Sequence, residues 1–269
     1  MDRKVTNFNT RLRTIRIWEL AIGIIAALFF TLIIIIIFPE IESNDDLYMI
    51  VFLMFILLFF IYALRGTTGL KTDLNNIFLK ENRNEILYVF AVNLIFAFIF
   101  TFFIAIMDML IGITDPTWVS IFDIDSVDLS PSAFVLSGII SIIFAPLLEE
   151  LIFRGVLLNR LKIRIGIIPS ILITSILFAI GHDTGGMLSA FVFGICMCIL
   201  YLKTDNILVP TAVHFINNLF AVIIETARFD YFISQFPQVL ILGLAVAIAA
   251  ISLTRYIIVE CNKLKKANS

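Results

Sequence analysis

The sequence predicts an all-α polytopic membrane protein with about eight transmembrane helices and both termini in the cytoplasm. Three observations support this prediction. Hydrophobic residues make up 61% of the 269-residue chain and charged residues only 15%, a balance that a soluble domain with a water-facing surface does not need. The apolar residues are gathered in runs of about 20, the length that crosses a bilayer as a helix. Finally, the basic residues are restricted to alternate loops between those runs.

Eight apolar runs qualify as membrane spans. They cover residues 17–38, 47–64, 86–113, 132–153, 165–182, 186–202, 207–225 and 237–259. The first run has no small-residue cleavage site after it, so we interpret it as a span rather than as a cleaved signal peptide. The fourth run continues without a break into the helix-compatible stretch "RGVLLNRLKIR", which extends the predicted fourth helix to about residue 163.

The distribution of charge predicts the orientation. All but one of the 19 lysines and arginines lie before the first span, in or after the last span, or in the loops that follow even-numbered spans; the exception is Arg228. The opposite loops at 39–46 and 114–131 are acidic. The positive-inside rule therefore places both termini in the cytoplasm. Because abundant Ile, Phe and Asn are typical of an AT-rich genome, we expect a multi-pass protein of a bacterial plasma membrane.

Six polar side chains lie within or beside these apolar runs, where ionisable groups are costly and usually functional. They are Glu149, Glu150, Arg154, His182, His214 and Asn218. Glu150 and Arg154 are four residues apart, so they share a helix face and can form an ion pair. Glu149 lies about 100° around the helix from Glu150 and has no such partner. We therefore expect a neutralised structural pair and, in Glu149, a carboxylate left free to act as a general base.

The same spacing of four residues recurs twice. It places the Phe178 ring beside the His182 imidazole, and it puts His214 and Asn218 on one face. The helical rise places Glu149, His182 and His214 at roughly 22, 27 and 16 Å from the nearest cytoplasmic basic residue. The three residues can therefore meet only if spans four, five and seven pack together and the fourth helix continues beyond its arginine.

Each group also has a structural interpretation. Glu149 could be an interfacial charge, and His182 could be a loop residue before the turn-like sequence "DTGG". His214 and Asn218 could be an interhelical hydrogen-bonding pair of structural value alone. The functional interpretation is favoured because the structural interpretation would have to hold for all three groups together, whereas ionisable residues within a membrane are usually functional.

Taken together, these residues resemble the CPBP family (CAAX-protease-and-bacteriocin-processing, also called Abi), whose members are intramembrane proteases. The family motifs Glu-Glu-x-x-x-Arg, Phe-x-x-x-His and His-x-x-x-Asn occur here in order as Glu149, Glu150 and Arg154, then Phe178 and His182, then His214 and Asn218. Asp183 departs from the apolar residue expected after the second motif. The resemblance covers residues 132–225 as a catalytic core. Residues 1–131 hold three spans without a matched motif, and residues 226–269 hold the last span and a basic tail.

The resemblance implies a role for each matched residue. Glu149, helped by His182, would activate water, while His214 and Asn218 would stabilise the oxyanion. Structural support of the site is implied for Glu150, Arg154 and Phe178. This chemistry needs no cofactor. The alternative is a zinc site with Glu149, His182 and His214 as ligands, which we disfavour because the chain has no His-Glu-x-x-His helix.

The predicted function is that of an intramembrane endopeptidase acting on a small peptide or a membrane-tethered precursor, in bacteriocin or signal-peptide maturation or in self-immunity. The alternative is a non-proteolytic membrane scaffold that binds a kinase or a cell-envelope enzyme. A transporter is disfavoured because the sequence shows no inverted repeat. The expected partners are the substrate, the lipid bilayer and, for a scaffold, a membrane protein; no nucleic-acid partner is expected.

Overall fold

The computed structural model describes residues 6–42, 44–115, 117–120 and 130–267, and the regular elements in these ranges are helices. The helices of the first half are α1 (Phe8–Thr14), α2 (Ile17–Ile37), α3 (Asp45–Leu64), α4 (Leu70–Asn75), α5 (Lys80–Phe96) and α6 (Ile99–Thr114), with a 3-10 turn at Pro39–Ile41. The helices of the second half are α7 (Pro131–Ile139), α8 (Ala145–Glu150), α9 (Asn159–Ile165), α10 (Ile167–Ile180), α11 (Met187–Thr204), α12 (Leu208–Thr226), α13 (Phe229–Ser234) and α14 (Gln238–Ala267). The all-α prediction is confirmed.

Seven helical stretches within the described ranges are long and apolar enough to cross a bilayer. They correspond to seven of the eight predicted spans, and the chain is a multi-pass membrane protein. The remaining span, predicted at 165–182, corresponds to α10, which has only 14 residues and a rise of about 21 Å. It is shorter than predicted because Gly166, with φ +84°, starts a new helix and because the chain turns at Gly181.

Residues 131–165 form one continuous helical stretch, here called the motif helix because it carries the first motif. Two π-helical segments, Ile140–Phe144 and Leu151–Leu158, separate its α-helical parts α7, α8 and α9. Such segments are rare and frequently occur at functional sites. The predicted continuation of the fourth helix beyond Arg154 is confirmed, which meets one of the two conditions for a common site.

Several basic segments meet at one end of the bundle. Arg13 on α1 pairs with Asp205 between α11 and α12, and Lys203 on α11 pairs with Glu260 on α14 at 2.8 Å. This is the arrangement that the charge pattern requires, and the cytoplasmic orientation of this end stays a prediction. Most of the acidic loop at 114–131, together with Arg3 and Lys4, lies outside the described residues.

Two close approaches between helices set the position of the motif helix and its neighbours. A Cβ atom on Gly155 would lie 2.6 Å from Cδ2 of Leu12, a fully buried residue of α1. A Cβ atom on Gly194 of α11 would lie 3.1 Å from Cβ of Ser175 on α10. Glycine at these two positions lets α1 reach the motif helix and lets α10 and α11 pack with their backbones close together.

Candidate active site

The three motifs meet around the ring of Phe178. The centroid of this ring lies 4.7 Å from that of His182 and 5.6 Å from that of His214. Arg154 Cζ lies 4.5 Å from the same centroid, a distance typical of a cation–π contact. Spans four, five and seven therefore do pack together, which meets the second condition for a common site.

Glu150 and Arg154 form a fully buried ion pair beside this ring. Arg154 Nη1 donates to Glu150 Oε1 at 2.8 Å, and neither side chain is exposed. Arg154 Nη2 donates to the carbonyl oxygen of Gly194 at 3.2 Å. A buried charge is tolerated when it is paired and hydrogen-bonded. The predicted pair is therefore present, and each partner is needed to neutralise the other.

Glu150 also orients His214, a contact that the sequence analysis did not predict. His214 Nδ1 lies 2.9 Å from Glu150 Oε1, and the imidazole is buried. We assign the Nδ1 proton to this hydrogen bond because the carboxylate can only accept. The opposite nitrogen, Nε2, then faces Glu149, whose Oε2 lies 3.7 Å away. The first and third motifs are thus joined through one buried carboxylate.

Glu149 has different surroundings from its neighbour. Its side chain is 31% exposed, whereas that of Glu150 is completely buried. The distance of 3.7 Å to His214 Nε2 is longer than a direct hydrogen bond. Within the described part of the chain no other group pairs with the carboxylate. The geometry therefore leaves Glu149 available to contact a water molecule or a substrate group.

His182 lies in the turn that follows α10 and not inside a helix. The prediction placed it at the end of the fifth span, but the helix ends two residues earlier. Its Nδ1 lies 3.0 Å from the carbonyl oxygen of Phe178, so a proton on Nδ1 leaves Nε2 as an acceptor. Asp183, the departure from the family pattern, accepts the N–H of Gly186 at 2.6 Å just before α11. The turn is thus fixed by the hydrogen bond of His182 to the end of α10 and by the hydrogen bond of Asp183 to the start of α11.

Asn218 binds a backbone carbonyl that the first π-helical segment leaves without a helical partner. The N–H of Ala145 donates to Ile140, and Pro146 has no N–H to offer. The carbonyl oxygen of Ser141 therefore lacks both of its usual donors, and Asn218 Nδ2 donates to it at 2.8 Å. A second hydrogen on Nδ2 stays available, because an amide nitrogen carries two.

A cavity of about 130 Å³ opens beside His182, His214 and Asn218, and Glu149 lies behind His214 rather than in its lining. The cavity is lined by Asn93, Ala97, Phe178, His182, Gly186, Ser189, Ala190, Phe193, His214, Asn217 and Asn218. Asn93 lies on α5 and Ala97 directly follows it, so the wall of the cavity includes residues outside the predicted 132–225 core. The sequence analysis missed Asn93 and Asn217. Both are polar residues within apolar runs, the same signal that identified the other site residues.

These side chains are not arranged as a ligand set for a metal ion. The described residues contain no group of three His, Cys, Asp or Glu that could hold one. The nitrogens of His214 face two different glutamates, and Nδ1 of His182 faces a backbone carbonyl. Contacts of this kind also orient histidines that bind a metal, so the argument against the zinc set of Glu149, His182 and His214 is the missing ligand group alone, and metal-free chemistry stays a prediction.

Known proteins match the segment of the chain that carries the site. The family model described as type II CAAX prenyl endopeptidase Rce1-like matches residues 131–220. The Bacillus subtilis (strain 168) protein named "Putative membrane peptidase YdiL" is 33% identical over 104 residues, which are 38% of this chain and 43% of that protein. The chain thus spans less than half the length of this curated relative. No solved structure matches the chain. The matched residues contain all three motifs, and both matches support the resemblance to the CPBP family that those motifs predicted.

Proposed function

We propose that the protein is an intramembrane endopeptidase that hydrolyses peptide bonds with a water molecule activated by Glu149. The observation that carries the proposal is the division between the two adjacent glutamates. Glu150 is neutralised by Arg154 and orients His214, while Glu149 lies 3.7 Å from the same imidazole without a direct hydrogen bond. The match of residues 131–220 to an endopeptidase family model and the printed name of the B. subtilis relative support the same reaction class.

Peptide hydrolysis needs a base for the attacking water and hydrogen-bond donors for the developing oxyanion. Glu149 is the base in this proposal. The gap of 3.7 Å between its Oε2 and His214 Nε2 is one at which a single water oxygen can form hydrogen bonds to both atoms. His182 can help to orient this water when His214 is an imidazolium: His214 Nε2 then donates to the water oxygen, and the water donates its two hydrogens to Glu149 and to Nε2 of His182.

The oxyanion donors have different requirements. His214 directs its Nδ1 proton at Glu150, so Nε2 carries a proton only when the ring is an imidazolium. His214 can therefore donate to an oxyanion only in its charged form. Asn218 keeps one amide hydrogen after its bond to Ser141, and it can donate whatever the charge on His214. We assign the oxyanion site to both residues, with Asn218 as the donor that does not depend on protonation.

The substrate class follows from the position of the cavity. The cavity lies between helices that cross the membrane, and its wall includes the rings of Phe178 and Phe193. A peptide bond cleaved there belongs to a segment that is at or within the bilayer. A small hydrophobic peptide or a membrane-tethered precursor meets this condition, as in the maturation of a bacteriocin or of a signal peptide or in self-immunity.

The test compares the peptides and membrane proteins of bacterial cells that carry the wild type, Glu149→Gln or Glu81→Gln. Glu81 is an exposed carboxylate at the start of α5, so its substitution makes the same chemical change away from the site. We expect at least one cleavage product to disappear, and its precursor to accumulate, in the Glu149→Gln cells alone. Identical product profiles in all three strains would exclude Glu149 as the base.

The scaffold alternative makes the opposite prediction. A scaffold needs the fold and a docking surface, but it does not need an ionised carboxylate at Glu149. If Glu149→Gln restored every phenotype of a deletion strain as well as the wild type does, the scaffold would replace the peptidase as the function of this chain.

A further inference from the structure

A second cavity, of about 620 Å³, lies at the basic end of the bundle, between the start of α2 and the end of the motif helix. Its lining combines three arginines with three apolar side chains: Arg16, Ile17, Trp18, Arg160, Ile163 and Arg164. None of these residues takes part in the proposed peptidase site. We call this cavity the arginine cleft.

Within the described residues the three arginine side chains lack an ion-pair partner; the Glu19 carboxylate meets Arg16 through its backbone N–H, at 2.7 Å. Arg13, by contrast, lies in the same basic region and is paired with Asp205. Three cations that converge without a counter-charge repel each other, so a bound anion would be favourable.

Arg160 is held in a position to bind such an anion. Its Nε donates to the carbonyl oxygen of Ile15 at 2.7 Å, which fixes the guanidinium plane and leaves the two terminal nitrogens for a ligand. Two parallel N–H groups of a guanidinium match the oxygens of a phosphate group. The first turn of α2 is capped by Glu19, whose carboxylate accepts the N–H of Arg16 at 2.7 Å, so the charge that an anion would meet is that of the arginine side chains.

The other half of the arginine cleft is apolar and open. Trp18 is 55% exposed and Ile163 is 71% exposed, and both lie where a membrane-crossing helix reaches the interface. Tryptophan is enriched at this depth because its ring is partly apolar and partly polar. A ligand for the whole cleft must therefore be an anion joined to a hydrocarbon chain.

We propose that the arginine cleft binds the headgroup of an anionic phospholipid, with its phosphate on Arg16, Arg160 and Arg164 and its acyl chains along Trp18 and Ile163. Basic pockets between transmembrane helices are typical sites for such headgroups. Because α2 and the motif helix each supply arginines, the lipid braces the first span against the helix that carries Glu149. The proposal does not depend on peptidase activity.

The experiment measures the melting temperature of the purified full chain in nanodiscs of phosphatidylcholine, with and without phosphatidylglycerol. We expect phosphatidylglycerol to raise the melting temperature of the wild type and to have little effect on the double variant Arg160→Gln, Arg164→Gln. A matched control, Lys71→Gln with Lys265→Gln, removes the same charge from exposed positions outside the cleft and should keep the full shift. Because each variant is compared with itself in the two lipids, any basal loss of stability cancels.

Two further measurements make the result specific. Native mass spectrometry of the single variant Arg164→Gln, an exposed side chain, should show phosphatidylglycerol binding weakened by about fivefold, as expected for one basic residue near a headgroup. Inorganic phosphate added to phosphatidylcholine nanodiscs should give no shift. The proposal fails if the cleft variants and the control lose the shift equally, if they all keep it, or if free phosphate reproduces it.

Discussion

At the scale of single residues, Glu149 and Glu150 show how one helix can give adjacent side chains opposite surroundings. Glu150 is fully buried and accepts hydrogen bonds from Arg154 and His214. Glu149 is 31% exposed and has no hydrogen-bond partner in the part of the chain that the structure describes. Because neighbouring positions on a helix point about 100° apart, this division could be predicted from spacing. The contact between Glu150 and His214 could not, since it joins two helices that are distant in sequence.

The first prediction follows from the burial of the ion pair. Glu150→Ala leaves Arg154 as an unpaired buried charge and removes the acceptor of His214, so we expect a loss of about 3–5 kcal/mol in stability. The amount of protein in the membrane and its melting temperature in detergent should both fall. Glu149→Gln serves as the control and should melt close to the wild type, because its carboxylate makes no buried pair. Equal melting temperatures for the two variants would contradict the structural role of Glu150.

The second prediction concerns metal. Because the described residues hold no group of three side chains placed to bind a metal ion, we expect the purified protein to contain no stoichiometric zinc by elemental analysis. We also expect it to keep its activity in a strong chelator. His214→Ala should lower the rate without changing the metal content. One zinc per chain, lost in His214→Ala, would make the protein a metalloprotease and would require the site to rearrange from the geometry described above.

At the scale of elements, the motif helix contains the features that the sequence could least predict. Its length and its continuation past Arg154 follow from an uninterrupted helix-compatible stretch. Its π-helical segments do not, because a change from i+4 to i+5 hydrogen bonding leaves no periodic mark on the side chains. Pro146 is a partial signal, since a proline within a helix must free a carbonyl. Asn218 binds that freed carbonyl, so the third motif is connected to the backbone of the helix that carries the first.

The third prediction uses two glycines of the same helix. Gly155→Ala would place a Cβ atom 2.6 Å from the fully buried side chain of Leu12, so this side chain must move and we expect about 1–3 kcal/mol of destabilisation. Gly138→Ala is the control, because a Cβ atom there meets nothing within 4 Å and alanine is the better helix former. Thermal unfolding in detergent should show a lower melting temperature for the first variant and an equal or higher one for the second. The reverse order would show that α1 does not pack on the motif helix as described.

At the scale of the whole molecule, the charge pattern predicts that the basic end faces the cytoplasm. In a background with Cys261→Ser, a cysteine at Glu42→Cys between α2 and α3 should react with a membrane-impermeant maleimide in intact cells. A cysteine at Lys265→Cys near the end of α14 should react only after permeabilisation. The native Cys196 and Cys198 are fully buried and should stay unlabelled. The opposite pattern at the two new cysteines would invert the topology.

The helices could be predicted closely because a run of about 20 apolar residues has few other stable conformations in a membrane. The prediction was less accurate where glycines set the ends of a helix. The helix α10 is shorter than the apolar run that contains it, and His182 lies in the turn that follows. The candidate site residues could be singled out in the sequence because ionisable groups are rare in membrane spans. Asn93 was missed because an asparagine on a helix without a motif offers no partner at a characteristic spacing.

The contacts of α1 have a consequence for how the protein can be divided. Leu12 covers Gly155, and Arg13 Nε donates to the hydroxyl of Tyr201 at 3.1 Å. Both contacts come from outside residues 131–220: the first covers the motif helix next to the arginine of the first motif, and the second holds α1 against α11. The segment that is easiest to recognise in the sequence is therefore not a transferable unit. A chimera that received this segment alone would expose the apolar surface of the motif helix that α1 covers here. The host protein would have to supply another helix to cover that surface.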